Sequence, residues 1–216
     1  MSNPANATSL KSETPGMLLV VYLCLGLAVT SLSLLFSVIQ MIAPDVYHSI
    51  EILVSIISLT ELPMWGIAVI LFLIWMYQVH KDLRVIFKTY SITPGGALAQ
   101  LMIPFYNLWG IWNVFATFAD KLKLQGGKLA EASSILRFLL PSLYAVSIAA
   151  RIADRLLLVQ ERLNEQTDVS TLMTVTLGLE VLLWVIWLAM TKVIRQAVRY
   201  KFTEVQSDLA QKATGV

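Results

Sequence analysis

Charge is scarce in this 216-residue chain. Only 14% of its residues are Asp, Glu, Lys or Arg, where a soluble domain carries about 25%. Cysteine is nearly missing. Cys24 stands alone, which excludes an internal disulfide and a cysteine-based metal centre. Net charge is only +2 and no basic stripe is present, so the chain does not read as a nucleic-acid binder. Repeats, low-complexity tracts and appended soluble domains are also missing. What is abundant is apolar surface, at 57% of residues, against about 45–50% in soluble proteins. A water-soluble domain of this length cannot hide so much. These counts exclude a secreted disulfide scaffold, a disordered chain and an ordinary cytosolic enzyme.

The apolar residues fall in runs long enough to cross a bilayer, which takes about 20 residues at about 1.5 Å each. No charge separates Glu13 from Asp45, and residues 17–43 read as span 1. That run is too long for a signal-peptide core and lacks a small-residue cleavage site, so it reads as a retained anchor. Residues 62–80 form span 2, opened by Pro63 and closed by an aromatic cluster at Trp75 and Tyr77. The apolar stretch 51–60 extends it outward past Glu61. Spans 3 and 4 are read over about 134–156 and 172–191. Residues 1–16, rich in Ser, Thr, Asn and Pro, read as a disordered leader, and 192–216 as a basic helical tail.

A fifth uncharged run, 97–119, is interrupted by Pro104, Asn107, Gly110 and Asn113. Charge decides its placement, because cytoplasmic loops carry excess Lys and Arg. With four spans and an inner N-terminus, the inner side holds Lys11, Lys81, Arg84, Lys88, Lys121, Lys123, Lys128, Arg137, Lys192, Arg195, Arg199, Lys201 and Lys212. That is 13 of the 16 basic residues. If the fifth run also crosses, the inner side holds 7 and the outer side 9. The four-span arrangement therefore wins, and the fifth run either re-enters as a helix-break-helix or lies along the interface. The expected fold is all-α: a polytopic membrane helix bundle of four transmembrane helices plus one re-entrant or interfacial broken helix. The expected place is the cell inner membrane, multi-pass, with both termini cytoplasmic.

Charges inside the spans are functional candidates by default. Counting from Arg137, Lys192 and Lys81 as inner-boundary markers, Arg151 lies about 21 Å up and Glu180 about 18 Å up. Glu61 lies about 30 Å up, at the outer headgroups. The matching depths of Arg151 and Glu180 predict an ion pair between spans 3 and 4, with a structural staple favoured over a transport site. Asp154 competes for Arg151. Glu61 reads as a solvated boundary acid. Lys192, Arg195, Arg199 and Lys201 suit anionic lipid headgroups, although such a run commonly serves as an orientation signal.

Catalytic and metal patterns are missing. No His-Glu-x-x-His, Gly-x-Ser-x-Gly or phosphate-loop motif occurs, and His48 and His80 fall on opposite sides of the membrane in this topology. No catalytic residue, cofactor or metal is expected. The Thr93-Pro94-Gly95-Gly96 turn reads as a helix start.

The most distinctive block runs Trp75-Met76-Tyr77, Lys81-Asp82-Leu83, Thr93-Pro94-Gly95 and Ile103-Pro104-Phe105-Tyr106-Asn107-Leu108-Trp109. Over about 71–122 it resembles a bacterial family of four-span membrane domains of unknown function. Two positions depart from that pattern: Ala99-Gln100-Leu101 replaces a tryptophan pair, and Gly110-Ile111 replaces Arg-Pro. The resemblance implies membrane placement and an architectural role for Pro94, Gly95, Pro104 and Asn107, and it brings no activity. From the residues themselves, Asn107 is suited to satisfy backbone groups freed at Pro104.

The function expected first is a non-enzymatic interaction or assembly component, partnered by the bilayer, another membrane protein or a second copy. The alternative is a solute or ion transporter or channel subunit using the re-entrant segment, with Arg151, Glu180 and Asn107 at the solute. A membrane-embedded enzyme ranks third.

Overall fold

The computed structural model describes residues 9–87, 89–163 and 166–213, with side chains given for all of these except 104–108, 161–163, 166–168 and 213. It is all-α. Six helices follow one another: α1 (Glu13–Ile42), α2 (Pro44–Ile86), α3 (Pro94–Met102), α4 (Pro104–Lys123), α5 (Gly127–Leu163) and α6 (Gln166–Ala213). Four segments are long and apolar enough to cross a membrane: α1, α2, and residues 127–160 and 169–212 of α5 and α6.

The helices outrun the expected spans. Residues 51–60 join α2, so Pro63 sits inside that helix and not in its first turn. Proline is tolerated there because neighbouring groups in a membrane helix can satisfy the freed backbone. The tail is no separate element, since α6 runs 48 residues without interruption.

The expected disorder of residues 1–16 is corrected where the chain is described. Residues 13–16 are already the first turn of α1. The backbone N–H groups of Lys11 and Ser12 donate to the Asp82 carboxylate at 3.2 and 2.8 Å. Helix N-termini leave their first N–H groups unpaired, and Asp82, itself buried, satisfies this one from α2. Arg195 on α6 then binds Glu13 at 2.7 Å. Residues 1–8, including the Asn6-Ala7-Thr8 glycosylation sequon, lie outside the described residues.

The broken segment is two helices. Thr93 caps α3, accepting from the Gly96 N–H at 3.0 Å, and Pro94 takes the first helical position. The turn is thus a helix start. The break falls at Ile103, whose φ of −75° and ψ of 118° are extended. Proline disfavours the helical region for the residue before it, so Pro104 ends α3 and opens α4. The two helices fold back on each other. A Cβ on Gly110 would lie 2.0 Å from the Gln100 carbonyl oxygen, and Asn113 donates to the Gln100 amide oxygen at 3.0 Å. Gly110 is there because the backbones meet. The following turn uses Gly126 and Gly127 at φ 74° and 50°, the left-handed region open to glycine.

The chain divides into two compact units. The first comprises Met1–Val20, Val69–Leu140 and Ala189–Val216, and so holds α3, α4 and the α1 N-terminus. Its core is built on Trp75, Leu83, Phe115, Leu136 and Met190. The second comprises Val21–Ala68 and Pro141–Leu188, with Leu23, Phe36, Leu143 and Leu177 among its buried residues.

Replacing Asp82 with alanine strands two backbone donors in the first unit. Loss of such charge-assisted bonds should cost about 2–4 kcal/mol. A lowered unfolding temperature in detergent, with faster proteolysis near residue 13, is the expected result; an unchanged transition contradicts the pin.

Candidate functional site

The second unit carries polar groups where an apolar interior is expected. On α1, Thr30, Ser33 and Ser37 are 3%, 7% and 2% exposed. Their spacing of three and four residues places them on one helix face. That face meets α6. Gly26 lies against the Trp184 ring, and a Cβ there would come within 2.5–2.8 Å of three ring carbons. Further along, the Ser37 and Thr174 hydroxyls are 2.6 Å apart. These two contacts run in opposite order along the helices, so α1 and α6 are antiparallel here. Interpolating between them puts Thr30 level with Glu180.

A third contact fixes α2. Trp65 and Trp184 stack with ring centroids 4.4 Å apart and planes 31° apart. Glu61 precedes Trp65 by one helical turn, and Glu180 precedes Trp184 by one turn. The same offset therefore brings Glu61 beside Glu180, and the two carboxylates lie within electrostatic reach. Asp154 on α5 reaches Glu180 as well. One level of the second unit thus gathers Thr30, Glu61 and Glu180 from three helices, and Asp154, exposed on α5, acts on Glu180 electrostatically. The stacked tryptophans lie one turn to one side, with Thr176 and Ser33 to the other.

These acids lack basic partners. Among the described residues the ion pairs are His48–Glu51, Arg137–Asp120, Arg195–Glu13 and Lys201–Glu204. The expected Arg151–Glu180 pair is not among them, and both Arg151 and Asp154 are exposed. Helix azimuth explains the correction. Leu143, Ala150 and Ala153 mark the buried face of α5. At about 100° per residue, Arg151 points about 110° away from that face and Asp154 only about 50° away. Glu61 is half-buried beside Glu180, with one carboxylate oxygen buried and unpartnered. Lys81 and Lys192 therefore do not mark one common height.

Buried polar atoms are almost always hydrogen-bonded, yet several at this level are not. The hydroxyls of Ser33 and Thr176 and the Trp184 indole N–H have no partner. The three carboxylates do not close into a metal-ligating group, and no such group of His, Cys, Asp or Glu occurs among the described residues.

The first unit also holds unpartnered buried atoms, on Trp75, His80, Tyr90 and Thr191 among others, but three of its acids have partners. Asp82 holds backbone donors and Arg195 holds Glu13. Arg137 pairs with Asp120 at the mouth of a groove of about 240 Å³ lined by Trp112, Phe115, Leu136 and Leu140. Glu180 does not line it. His80 is buried, its Nδ1 2.9 Å from the Met76 carbonyl and its ring 5.6 Å from Tyr90. Burial pushes the Tyr90 phenol above its ordinary range.

The remaining candidates separate. Pro94 and Pro104 start α3 and α4. A Cβ on Gly95 would meet nothing within 4 Å, so packing does not require glycine there. Asn107 lies in the first turn of α4, and its side chain lies outside the described residues. Of the four basic tail residues, Arg195 and Lys201 are engaged by Glu13 and Glu204, while Lys192 and Arg199 are exposed.

No protein family, curated protein or solved structure matches the chain. The site stands on its own geometry.

Gly26→Ala tests that geometry. The added methyl must displace Trp184, at a cost of about 1–3 kcal/mol for overpacking. The expected signature is a shift in tryptophan emission with a lowered unfolding temperature. An unchanged spectrum and stability would mean that α1 does not approach α6 at this level.

Proposed function

We propose that the protein is a multi-pass protein of the cell inner membrane, with both termini cytoplasmic, that binds and passes a small cationic solute. The observation that carries this reading is the level of Glu61 and Glu180, two half-buried acids without a basic partner among the described residues, with Asp154 within electrostatic reach. A lone acid at such depth costs on the order of 2.5–3.5 kcal/mol on insertion scales. An Arg151–Glu180 staple would have offset that cost structurally. Without it, no described residue offsets the charge, and a proton or a cation from solution can. Ser33, Thr176 and Thr30 add hydroxyls that can replace water around a desolvated solute. The solute site of the transport reading moves accordingly, from the broken helix to the carboxylate level.

A second reading, an assembly component, is favoured by one observation. Met102, Ile103 and Trp109 are all more than half exposed at the α3–α4 break. A re-entrant or interfacial seat in the inner leaflet, or a partner subunit, would cover them. Lys192 and Arg199 would then rest on anionic headgroups.

The test is flux. In reconstituted vesicles the protein should pass monovalent cations or protons down an imposed gradient, read with ion-sensitive dyes. Glu180→Gln should reduce the rate at least tenfold, while Glu51→Gln, an exposed acid outside the level, should leave it unchanged. Flux no higher than in protein-free vesicles would contradict the transport reading and leave assembly.

A further inference from the structure

We propose that the groove between α4 and α5 holds one phospholipid of the ethanolamine class. Its phosphate rests on Arg137, its ammonium on Asp120, and one acyl chain lies in the groove. The site is independent of the carboxylate level, which belongs to the other unit.

Shape argues first. The groove has a volume of about 240 Å³. Phe115, Ala119, Leu136 and Leu140 are buried and form its floor, while Trp112, Asp120 and Arg137 are exposed at its rim. Ser133 donates to the Ala119 carbonyl at 2.7 Å and so holds α5 beside α4. From Asp120 back to Trp112 the groove follows α4 for about 12 Å. It is polar at one end and apolar over the rest. Water finds too few polar partners along such a floor, and an empty recess forfeits dispersion contacts. A hydrocarbon chain meets both conditions.

Height argues second. No residue from 89 to 119 is charged, and none from 138 to 150. Asp120 and Arg137 are thus the charges that end the apolar stretch on each helix. They sit where hydrocarbon gives way to headgroups, with the groove on the hydrocarbon side.

Chemistry argues third. Lipid tails are as apolar as the leucines of the floor, so the tail fills the groove and the headgroup decides which lipid stays. Arg137 meets Asp120 end-on, through one guanidinium nitrogen and one carboxylate oxygen. The pair ties α4 to α5, yet both side chains remain more than half exposed. The guanidinium fork keeps donors for a phosphate, which it can grip with two parallel bonds. The carboxylate keeps an acceptor oxygen for a primary ammonium. An ethanolamine headgroup presents those two charges side by side. A choline headgroup carries no N–H and cannot bond to Asp120. A glycerol headgroup leaves a net negative charge beside Asp120. Lys123 does not line the groove, and Lys128 lies over the Tyr200 ring at 5.7 Å.

The experiment uses the full chain, purified in detergent and stripped of lipid. It is titrated with phosphatidylethanolamine, phosphatidylcholine and phosphatidylglycerol of identical acyl chains. Native mass spectrometry counts the bound lipids, and thermal unfolding reads the stabilisation. Wild type should retain one phosphatidylethanolamine, about tenfold more tightly than either competitor, the worth of one charge-assisted hydrogen bond. Asp120→Asn should lose most of that preference and improve phosphatidylglycerol binding. Arg137→Gln should weaken all three lipids. Ala116→Phe should fill the groove and abolish the single adduct. Glu131→Gln, an exposed acid outside the groove, should bind as wild type. Unchanged helical content by circular dichroism keeps each comparison valid, and the comparison among lipids needs no variant. Equal affinity of wild type for the three lipids would overturn the proposal. So would an ethanolamine preference that survives both Asp120→Asn and Arg137→Gln. A ladder of several adducts, alike in wild type and Ala116→Phe, would mean annular lipid only and would overturn it as well.

Discussion

A carboxylate placed among apolar helices must be neutralised by a proton or a countercharge, and among the described residues none is paired with Glu180. That constraint organises the rest of the site. Three contacts set the register that makes it unavoidable: Gly26 against Trp184, Ser37 with Thr174, and Trp65 on Trp184. Given that register, Glu61 arrives beside Glu180, and the exposed Asp154 on α5 adds to the imbalance electrostatically. The buried hydroxyl stripe of α1 faces the same helix. The level is polar because α1, α2 and α6 contribute to it, and Arg151 is not paired with its acids.

The first unit shows how the same chain treats acids whose work is structural. Asp82 is buried and saturated by two backbone donors, Glu13 is held by Arg195, and Asp120 by Arg137. Each acid has a partner contributed by another helix or by the segment leading into α1. The contrast between the units is the reason for reading the Glu180 level as a binding site and the Asp82 cluster as a clamp. Within the first unit, the α3–α4 hairpin depends on a bare backbone approach at Gly110 and on the helix-ending effect of Pro104.

Much of the architecture was legible in the sequence. Uncharged run length located four long apolar helices, and the Pro104 interruption located the break to within a residue. Helix ends were less legible, since Asp82 reaches from residue 82 to hold residues 11 and 12, a long-range contact without a local signal. The site was half legible. Residue counting can set a height along a helix, and it singled out Glu180. It cannot set azimuth, so Arg151 was matched by depth to an acid it does not face. Counting also assumed that Lys81 and Lys192 mark one plane, which put Glu61 too far from Glu180. Thr30, Ser33 and Ser37 did leave a signal, a polar stripe spaced by three and four within span 1. It was hidden because that run was weighed by mean apolarity and not by face.

The central claim is that the interior of the second unit at the Glu180 level is polar and attracts cations. Thiol accessibility tests it most directly. In a Cys24→Ser background, cysteines are placed at Ser33, on the buried polar face, and at Leu35, on the exposed apolar face. A water-soluble cationic thiol reagent should modify the position-33 thiol at least tenfold faster than the position-35 thiol. An anionic reagent of similar size should lose that preference. Equal rates at the two positions, or faster reaction with the anionic reagent at position 33, would contradict the account.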